Sequence, residues 1–86
     1  MKLIFHRDFE RSYANLRSAE KEKCDARLAA FFVDTFDKTL NNHPLRGTYM
    51  GYRSINIAGD LRAIYRQIDA ETYFFIALGP HKKLYR

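Results

Sequence analysis

The chain opens with alternating apolar and polar positions. In Met1–His6, Leu3 and Phe5 fall on one side of an extended segment, which predicts a short strand at or near the edge of a sheet. His6 belongs to no motif, and we expect it to be a structural or surface histidine.

The period changes to that of an α-helix after this strand. Asp8 is a candidate cap for a first helix, and Ser18 is a candidate cap for a second. An apolar stripe then runs as far as the pair Asn41-Asn42. Its members are Cys24, Leu28, Phe31, Phe32, Phe36 and Leu40. The stripe predicts a second helix of about 20 residues, roughly 30 Å long, whose phenylalanines cover a sheet.

Alternation with period two returns in the second half of the chain. His43-Pro44 is expected to end the second helix, because proline disfavours helical backbone at the residue before it. A loop is predicted over Leu45–Gly51. Three strands are predicted after it, over Tyr52–Ile57, Leu61–Ile68 and Thr72–Leu78. The last is apolar on both faces, as in an interior strand, and Gly79-Pro80 separates it from a short basic tail, His81–Arg86.

These elements predict an α+β fold of order β-α-α-β-β-β. A strand and a two-helix hairpin precede a three-strand antiparallel meander, and the helices lie on one face of the sheet. With 86 residues, the chain has room for a single domain (residues 1–86) with one core.

The positive charge is concentrated in the predicted sheet. The net charge is +5; residues 1–42 carry eight Lys/Arg against seven Asp/Glu, whereas residues 43–86 carry seven against three. A basic half of this kind favours a polyanionic partner such as RNA, DNA or an acidic protein segment. The chain has no long apolar run and no signal-peptide pattern, and a single cysteine, Cys24, cannot form an internal disulfide. We therefore expect a cytoplasmic protein without a membrane partner.

The candidate chemistry consists of two histidines and several arginines. His43 and His81 flank the predicted strands and could exchange protons near neutral pH. Arg53, Arg62 and Arg66 could hold a phosphate. Each has a plainer explanation, since His43 could cap a helix end and strand arginines are usually solvated. The histidines and Cys24 show no metal-ligand spacing, so no metal site and no cofactor is expected.

Several short segments of the second half resemble a known family. These segments are His43-Pro44-Leu45-Arg46-Gly47, Gly51-Tyr52-Arg53, Gly59-Asp60, Ile64-Tyr65-Arg66 and Leu78-Gly79-Pro80-His81. Together they are similar to the YafQ branch of the RelE superfamily, small bacterial toxins of type II toxin–antitoxin pairs. The first half agrees with this family in layout rather than in motif.

The resemblance implies a function and a set of site residues. The implied protein is a bacterial cytoplasmic mRNA endonuclease that acts in the ribosomal A site and is silenced by a cognate antitoxin in a hetero-oligomer. His43, Asp60 and His81 match the family's catalytic positions, Tyr85 matches a functional aromatic residue, and Arg62 matches an arginine of the RelE branch. Additional contacts to RNA are expected from Asn56 and from the basic residues Arg46, Arg53, Arg66, Lys82 and Lys83.

The chain departs from the family pattern at two positions. Asn56 stands where related toxins have a histidine, and Ala77 stands where they have an arginine. An asparagine side chain can hydrogen-bond a phosphate or a ribose but does not exchange protons near neutral pH. Arg62 could supply the positive charge that Ala77 lacks.

The expected reaction is attack of a ribose 2′-OH on the adjacent phosphorus without a metal ion. His43 is assigned as base, His81 as acid, Asp60 as an orienting group, and Tyr85 as a platform for base stacking. Two alternatives remain open at this stage. One is a non-catalytic ParE-like toxin that inhibits DNA gyrase by binding, and the other is a housekeeping RNA-binding domain.

Overall fold

The computed structural model describes residues 1–85 of the chain; Arg86, the last residue of the predicted basic tail, lies outside the described residues. The helices are α1 (Arg7–Ala14), α2 (Ser18–Val33) and α3 (His81–Leu84, a single turn). The strands are β1 (Lys2–Phe5), β2 (His43–Pro44), β3 (Arg53–Ala58), β4 (Leu61–Asp69) and β5 (Thr72–Pro80). Two short 3₁₀ helices cover Lys38–Leu40 and Gly47–Tyr49.

The five strands form one sheet in the order β1-β5-β4-β3-β2. β1 runs parallel to β5 at one edge, and all other neighbouring strands are antiparallel. The predicted α+β architecture, the edge position of the first strand and the interior position of the last are therefore confirmed. β2 is an addition to the predicted order: two residues that pair with β3 at the other edge of the sheet.

The core lies between the helices and one face of the sheet. Phe31 of α2 is fully buried, and its ring makes edge-to-face contacts with Tyr65, Tyr73 and Phe75 at centroid distances of 4.9, 5.3 and 5.2 Å. Aromatic pairs in this geometry add to the free energy gained from area burial alone. The prediction that Phe31 and Cys24 of the apolar stripe belong to the core is confirmed, since both side chains have no exposed surface.

The second helix is shorter than its apolar stripe predicts. It ends at Val33, and the exposed fractions of Phe32 and Phe36 are 53% and 64%, so the prediction that these two rings belong to the core is wrong. Two aspartates explain the early end. Asp34 accepts a hydrogen bond from the backbone N–H of Phe36 at 3.0 Å, and Asp37 accepts one from Thr39 at 2.9 Å. Such local hydrogen bonds stabilise turns at the expense of helix.

The residues that cap the helices also differ from the prediction. Asp8 lies inside α1, and the cap is His6, whose Nδ1 accepts a hydrogen bond from the backbone N–H of Asp8 at 2.9 Å. Ser18 is the first residue of α2, and the backbone N–H of Arg17 before it donates to Glu20 Oε1 at 3.1 Å. His6 therefore has the structural role expected of it, although by an interaction that no motif predicts.

His43 and Pro44 enter the sheet instead of ending a helix. Asn41 has φ of 45°, in the left-handed region, which redirects the chain after the first 3₁₀ helix. Asparagine tolerates this conformation better than most residues. The chain then runs beside β3, so that His43 pairs with Ser54 and Pro44 pairs with Arg53. No helix within residues 1–85 is long and apolar enough to cross a membrane.

Candidate functional site

The sheet has a second face, opposite to α2, which we call the open face. Cross-strand pairs bring His43 opposite Ser54, Ser54 opposite Ile64, and Ile64 opposite Ala77. Directly opposed residues point to the same face of a sheet, and Ile64 alternates along β4 with Ala63, a core residue. His43 therefore belongs to a row of side chains on the open face.

The next row on this face contains three residues near the β3–β4 turn. Asn56 pairs with Arg62, and Arg62 pairs with Gly79. These residues lie two positions along their strands from the row of His43, which corresponds to about 7 Å. On the open face, Asn56 therefore lies one row away from His43 on the neighbouring strand, and Arg62 lies in the same row as Asn56 but one strand farther away.

The C-terminal turn α3 folds over the same face. A Cβ atom added to Gly79 would lie 3.5 Å from Leu84 Cδ2, so Leu84 covers the side of β5 to which Arg62 also points. The backbone N–H of His81 donates to the carbonyl oxygen of Asp60 at 2.9 Å, which fixes the start of α3 against the β3–β4 turn. The ring of His81 lies 4.5 Å from that of Tyr85. Asp60, His81 and Tyr85 are therefore neighbours at this end of the sheet.

The imidazole of His43 is held in one orientation. Its Nδ1 lies 2.8 Å from the backbone carbonyl oxygen of Asn41. A carbonyl oxygen only accepts hydrogen bonds, so Nδ1 carries the proton and Nε2 keeps its lone pair in the neutral ring. The left-handed turn at Asn41 positions this carbonyl, and the half-buried histidine is left with a proton acceptor at Nε2.

Arg62 carries its positive charge to the β3–β4 turn. Its Nη1 donates to the carbonyl oxygen of Gly59 at 2.7 Å, next to the exposed Asp60. Nη1 also donates to the carbonyl oxygen of Leu61 at 3.4 Å, so both hydrogen bonds use one nitrogen and leave the donors of Nε and Nη2 for a ligand. An oriented guanidinium with free donors suits the binding of a phosphate.

Three polar atoms at this face have unused hydrogen-bonding capacity. Ser54 Oγ, Asn56 Oδ1 and the Tyr85 hydroxyl are buried, and none has a hydrogen-bond partner among residues 1–85. Most buried polar atoms in proteins are hydrogen-bonded, so these three atoms are exceptions in this fold.

We call His43, Asn56, Asp60, Arg62 and His81 the candidate catalytic cluster. The remaining basic residues lie at different places around it. Arg46 lines a hollow of about 230 Å³ together with Tyr49 and Tyr85. Lys82 is exposed on α3, whereas Lys83 lines a separate hollow that also contains Glu20. Arg46 therefore lies beside Tyr85, and Lys82 and Lys83 lie on α3.

The two other arginines lie away from the β3–β4 turn. Arg66 lies on the open face one row beyond His43, with its guanidinium 5.8 Å from the centroid of Tyr52. Arg53 pairs with Tyr65 and lies on the opposite face. The structure does not bring Arg53 into the cluster.

Arg53 belongs to a structural network. Its Nε donates to Asn42 Oδ1 at 2.7 Å, and its guanidinium lies 5.1 Å from the ring of Phe36. Asn42 Nδ2 in turn donates to the hydroxyl of Tyr65 at 2.7 Å, where burial raises the pKa of the phenol. These contacts hold the segment before β2 against the sheet.

The sequence did not single out Ser54, Tyr49 or Asn41 as site residues. Ser54 is a polar residue with no exposed surface, next to His43 in the sheet, but its position depends on the pairing of β2, which has no periodic signal. Tyr49 lies in the segment predicted as a loop, and the role of Asn41 rests on a backbone carbonyl. Within residues 1–85, no group of three or more His, Cys, Asp or Glu side chains could hold a metal ion.

The hydrogen bonds of two histidines predict opposite neutral tautomers. His43 donates from Nδ1 to a carbonyl, whereas His6 accepts at Nδ1 from a backbone N–H. In ¹⁵N-detected imidazole correlation spectra at alkaline pH, we expect His43 to carry its proton on Nδ1 and His6 on Nε2. The same tautomer at both residues would contradict the hydrogen-bond assignment of one of them.

Comparison with known proteins identifies the family. The family model described as the bacterial toxin of type II toxin–antitoxin system, YafQ, matches residues 1–86. No curated protein matches the chain by sequence.

Solved structures share the fold at low sequence identity. YafQ from E. coli strain BL21(DE3) has a TM-score of 0.82 at 17% identity, covering 99% of this chain and 98% of that one. A YoeB/ParE toxin from Agrobacterium tumefaciens has a TM-score of 0.80 at 22% identity, with coverages of 94% and 99%. YafQ in the E. coli DinJ–YafQ complex has a TM-score of 0.77 at 20% identity, with coverages of 99% and 98%. The chain belongs to the YafQ family of bacterial toxins of type II toxin–antitoxin systems.

Proposed function

We propose that this toxin is an endoribonuclease that cleaves mRNA in the ribosomal A site by attack of a 2′-OH. The observation that supports the proposal is the register of the sheet, which puts His43, Asn56 and Arg62 on one face and starts α3, with His81, at the turn that contains Asp60. Two imidazoles and an oriented guanidinium are the groups that phosphodiester transfer needs in order to move protons and balance charge. The ribosomal context is what the family resemblance implies.

The reaction starts with the ribose on the 5′ side of the cleaved bond. His43 Nε2 removes the proton of the 2′-OH, and the oxygen forms a bond to the adjacent phosphorus. The bond from phosphorus to the 5′-oxygen breaks, and His81 donates a proton to that oxygen. The products carry a 2′,3′-cyclic phosphate and a 5′-OH. Since nucleophile and phosphorus belong to one molecule, alignment contributes much of the rate.

The assignment of His43 as base and His81 as acid is supported by their surroundings. The carbonyl of Asn41 holds the Nδ1 proton of His43 and keeps Nε2 as an acceptor. His81 is exposed at the start of α3, where its ring can reach a leaving oxygen without contributing to the core. The free N–H donors of Arg62 bind the phosphate oxygens. The Asp60 carboxylate orients the reacting groups at the turn.

Asn56 has a positioning role in this proposal. It is half-buried one row from His43 on the open face, and its amide group hydrogen-bonds a phosphate or a ribose of the substrate. An amide at this position aligns the ribose and phosphate but leaves the proton transfers to the two histidines.

We also propose that a cognate antitoxin silences the toxin in a hetero-oligomer. Two solved relatives are antitoxin complexes, DinJ–YafQ from E. coli and RelE–RelB from Pyrococcus horikoshii. Arg46 and Lys82 are exposed beside the cluster and give it a positive surface. An acidic, initially flexible segment of the partner fits this surface, and charge pairing accelerates its association.

Removing the proposed acid tests the enzymatic function. We expect His81→Ala to lower the single-turnover rate of mRNA cleavage on programmed ribosomes by about 10²–10⁴-fold, the scale of one proton-transfer group. The fold should persist because His81 is exposed. Arg11→Ala, which removes an exposed cation of α1, is the matched control and should cleave normally. A folded His81→Ala protein that cleaves at the wild-type rate would refute the assignment.

Hydrogen exchange tests how the antitoxin inhibits. If the partner occludes the site, amides of residues 79–85 should exchange more slowly in the complex, because α3 is a single turn with mostly exposed side chains in the free protein. We expect this protection to weaken in high salt, where charge pairing is screened. Protection confined to α1 and α2, with α3 unchanged, would contradict occlusion and indicate inhibition by bulk alone.

A further inference from the structure

A groove on the open face lies next to the candidate catalytic cluster. Its volume is about 490 Å³, and its lining includes Tyr49, Tyr52, Phe74, Ile76 and Ala77. Neither the proposed proton transfers nor the phosphate contacts use this groove. It is large enough for a small planar group and offers aromatic surface on more than one side.

A row of rings connects the groove to the catalytic cluster. The ring centroid of Tyr85 lies 6.0 Å from that of Tyr49, and the centroid of Tyr49 lies 6.1 Å from that of Tyr52. The interplanar angles are 86° and 79°. Because each pair is nearly perpendicular, the rings are not stacked face to face on one another. The row begins beside His81 and ends below the guanidinium of Arg66.

An arginine side chain lies at each end of this row of rings. Arg66 lies over Tyr52, and Arg46 lines the hollow that contains Tyr49 and Tyr85. Aromatic rings that alternate with cations are the arrangement with which proteins bind single-stranded nucleic acid: the rings stack on bases, and the cations contact the phosphates. An apolar protein segment would match the rings but would leave both arginines without a partner.

The side of the groove nearest α1 carries polar groups that could contact the edge of a base. His6 and Asp8 line it, and the ring of His6 lies 6.0 Å from that of Phe74. The Nδ1 of His6 is used in capping α1, so the neutral ring retains an N–H donor at Nε2, while Asp8 offers carboxylate oxygens as acceptors. Bases present both donors and acceptors along their edges.

We propose that this groove binds one unpaired base of single-stranded RNA, adjacent to the cleaved bond, by stacking against Tyr52 and Phe74. The inference rests on the proposed function in so far as it places that base beside the catalytic cluster. It assigns a substrate-binding role to Tyr49, Tyr52 and Phe74, and it makes His6 and Asp8 contacts to the edge of the base.

The binding of a fluorescent RNA tests this proposal without requiring cleavage. The probe is a short single-stranded oligonucleotide with 2′-O-methyl sugars, which block attack, and one 2-aminopurine, whose fluorescence falls when the base stacks on an aromatic ring. We expect the free wild-type protein to quench it at low salt. Tyr52→Leu and Phe74→Leu should each weaken binding about tenfold, while Tyr52→Phe and Phe74→Tyr, which keep the ring, should bind as the wild type does.

The controls separate folding from stacking and this proposal from the nuclease proposal. Phe32→Leu makes the same substitution at an exposed ring outside the groove and should bind normally, and thermal unfolding should show that every variant is folded. Absence of quenching by the wild type, or equal affinity after both ring deletions, would overturn the groove assignment. Cleavage of mRNA by the same proteins is measured separately. A wild-type protein that binds the probe but does not cleave mRNA would refute only the proposed nuclease activity. A wild-type protein that cleaves mRNA, with binding of the probe unchanged by Tyr52→Leu and Phe74→Leu, would refute only the proposed role of the groove.

Discussion

The register of the three long antiparallel strands is the constraint on which the candidate site depends. Phe31 of α2 contacts Tyr65, Tyr73 and Phe75, so β4 and β5 must present these rings to the helices. A shift of one residue in a strand would exchange its two faces and expose the core side chains. The packing that stabilises the fold therefore also determines that Arg62 points away from the helices.

The edges of this sheet determine where the histidines lie. At one edge, the left-handed turn at Asn41 brings the chain beside β3, places His43 opposite Ser54 and supplies the carbonyl that orients the imidazole. At the end of β5, the bond from the backbone of His81 to Asp60 starts α3 against the β3–β4 turn. Both histidines are thus positioned by backbone geometry, and their side chains remain free to contact a substrate.

Periodicity predicted the elements that bury a regular apolar face. The strand that contains Tyr73 and Phe75 is apolar on both sides, and its interior place in the sheet follows from that pattern. Periodicity failed where short-range polar contacts decide the structure: the apolar stripe continues through Phe36, but the turn formed by Asp34 ends the helix first. It also gave no sign of β2, because two residues are too few to show a period.

The candidate site could be predicted only in part, because a local sequence pattern does not show contacts between residues that are far apart in the chain. The resemblance carried by the motifs named His43, Asp60 and His81; the fold makes Asp60 and His81 neighbours at the β3–β4 turn and puts His43 on the edge strand β2. Arg53 was grouped with them because it is basic, yet its strand position turns it towards Asn42. The contribution of Tyr49 depends on its contact with Tyr85, a partner far away in the sequence, and no local pattern indicates such a contact.

The central claim is that a ribose 2′-OH is the nucleophile and that this face of the sheet transfers its proton. The most direct measurement uses ribosomes programmed with an mRNA that carries a single 2′-deoxy sugar on the 5′ side of the cleaved bond. We expect the all-ribose mRNA to be cut to a 2′,3′-cyclic phosphate and a 5′-OH, and the deoxy mRNA to remain intact at that position. Cleavage of the deoxy mRNA at the same bond, or a 5′-phosphate on the products, would contradict it.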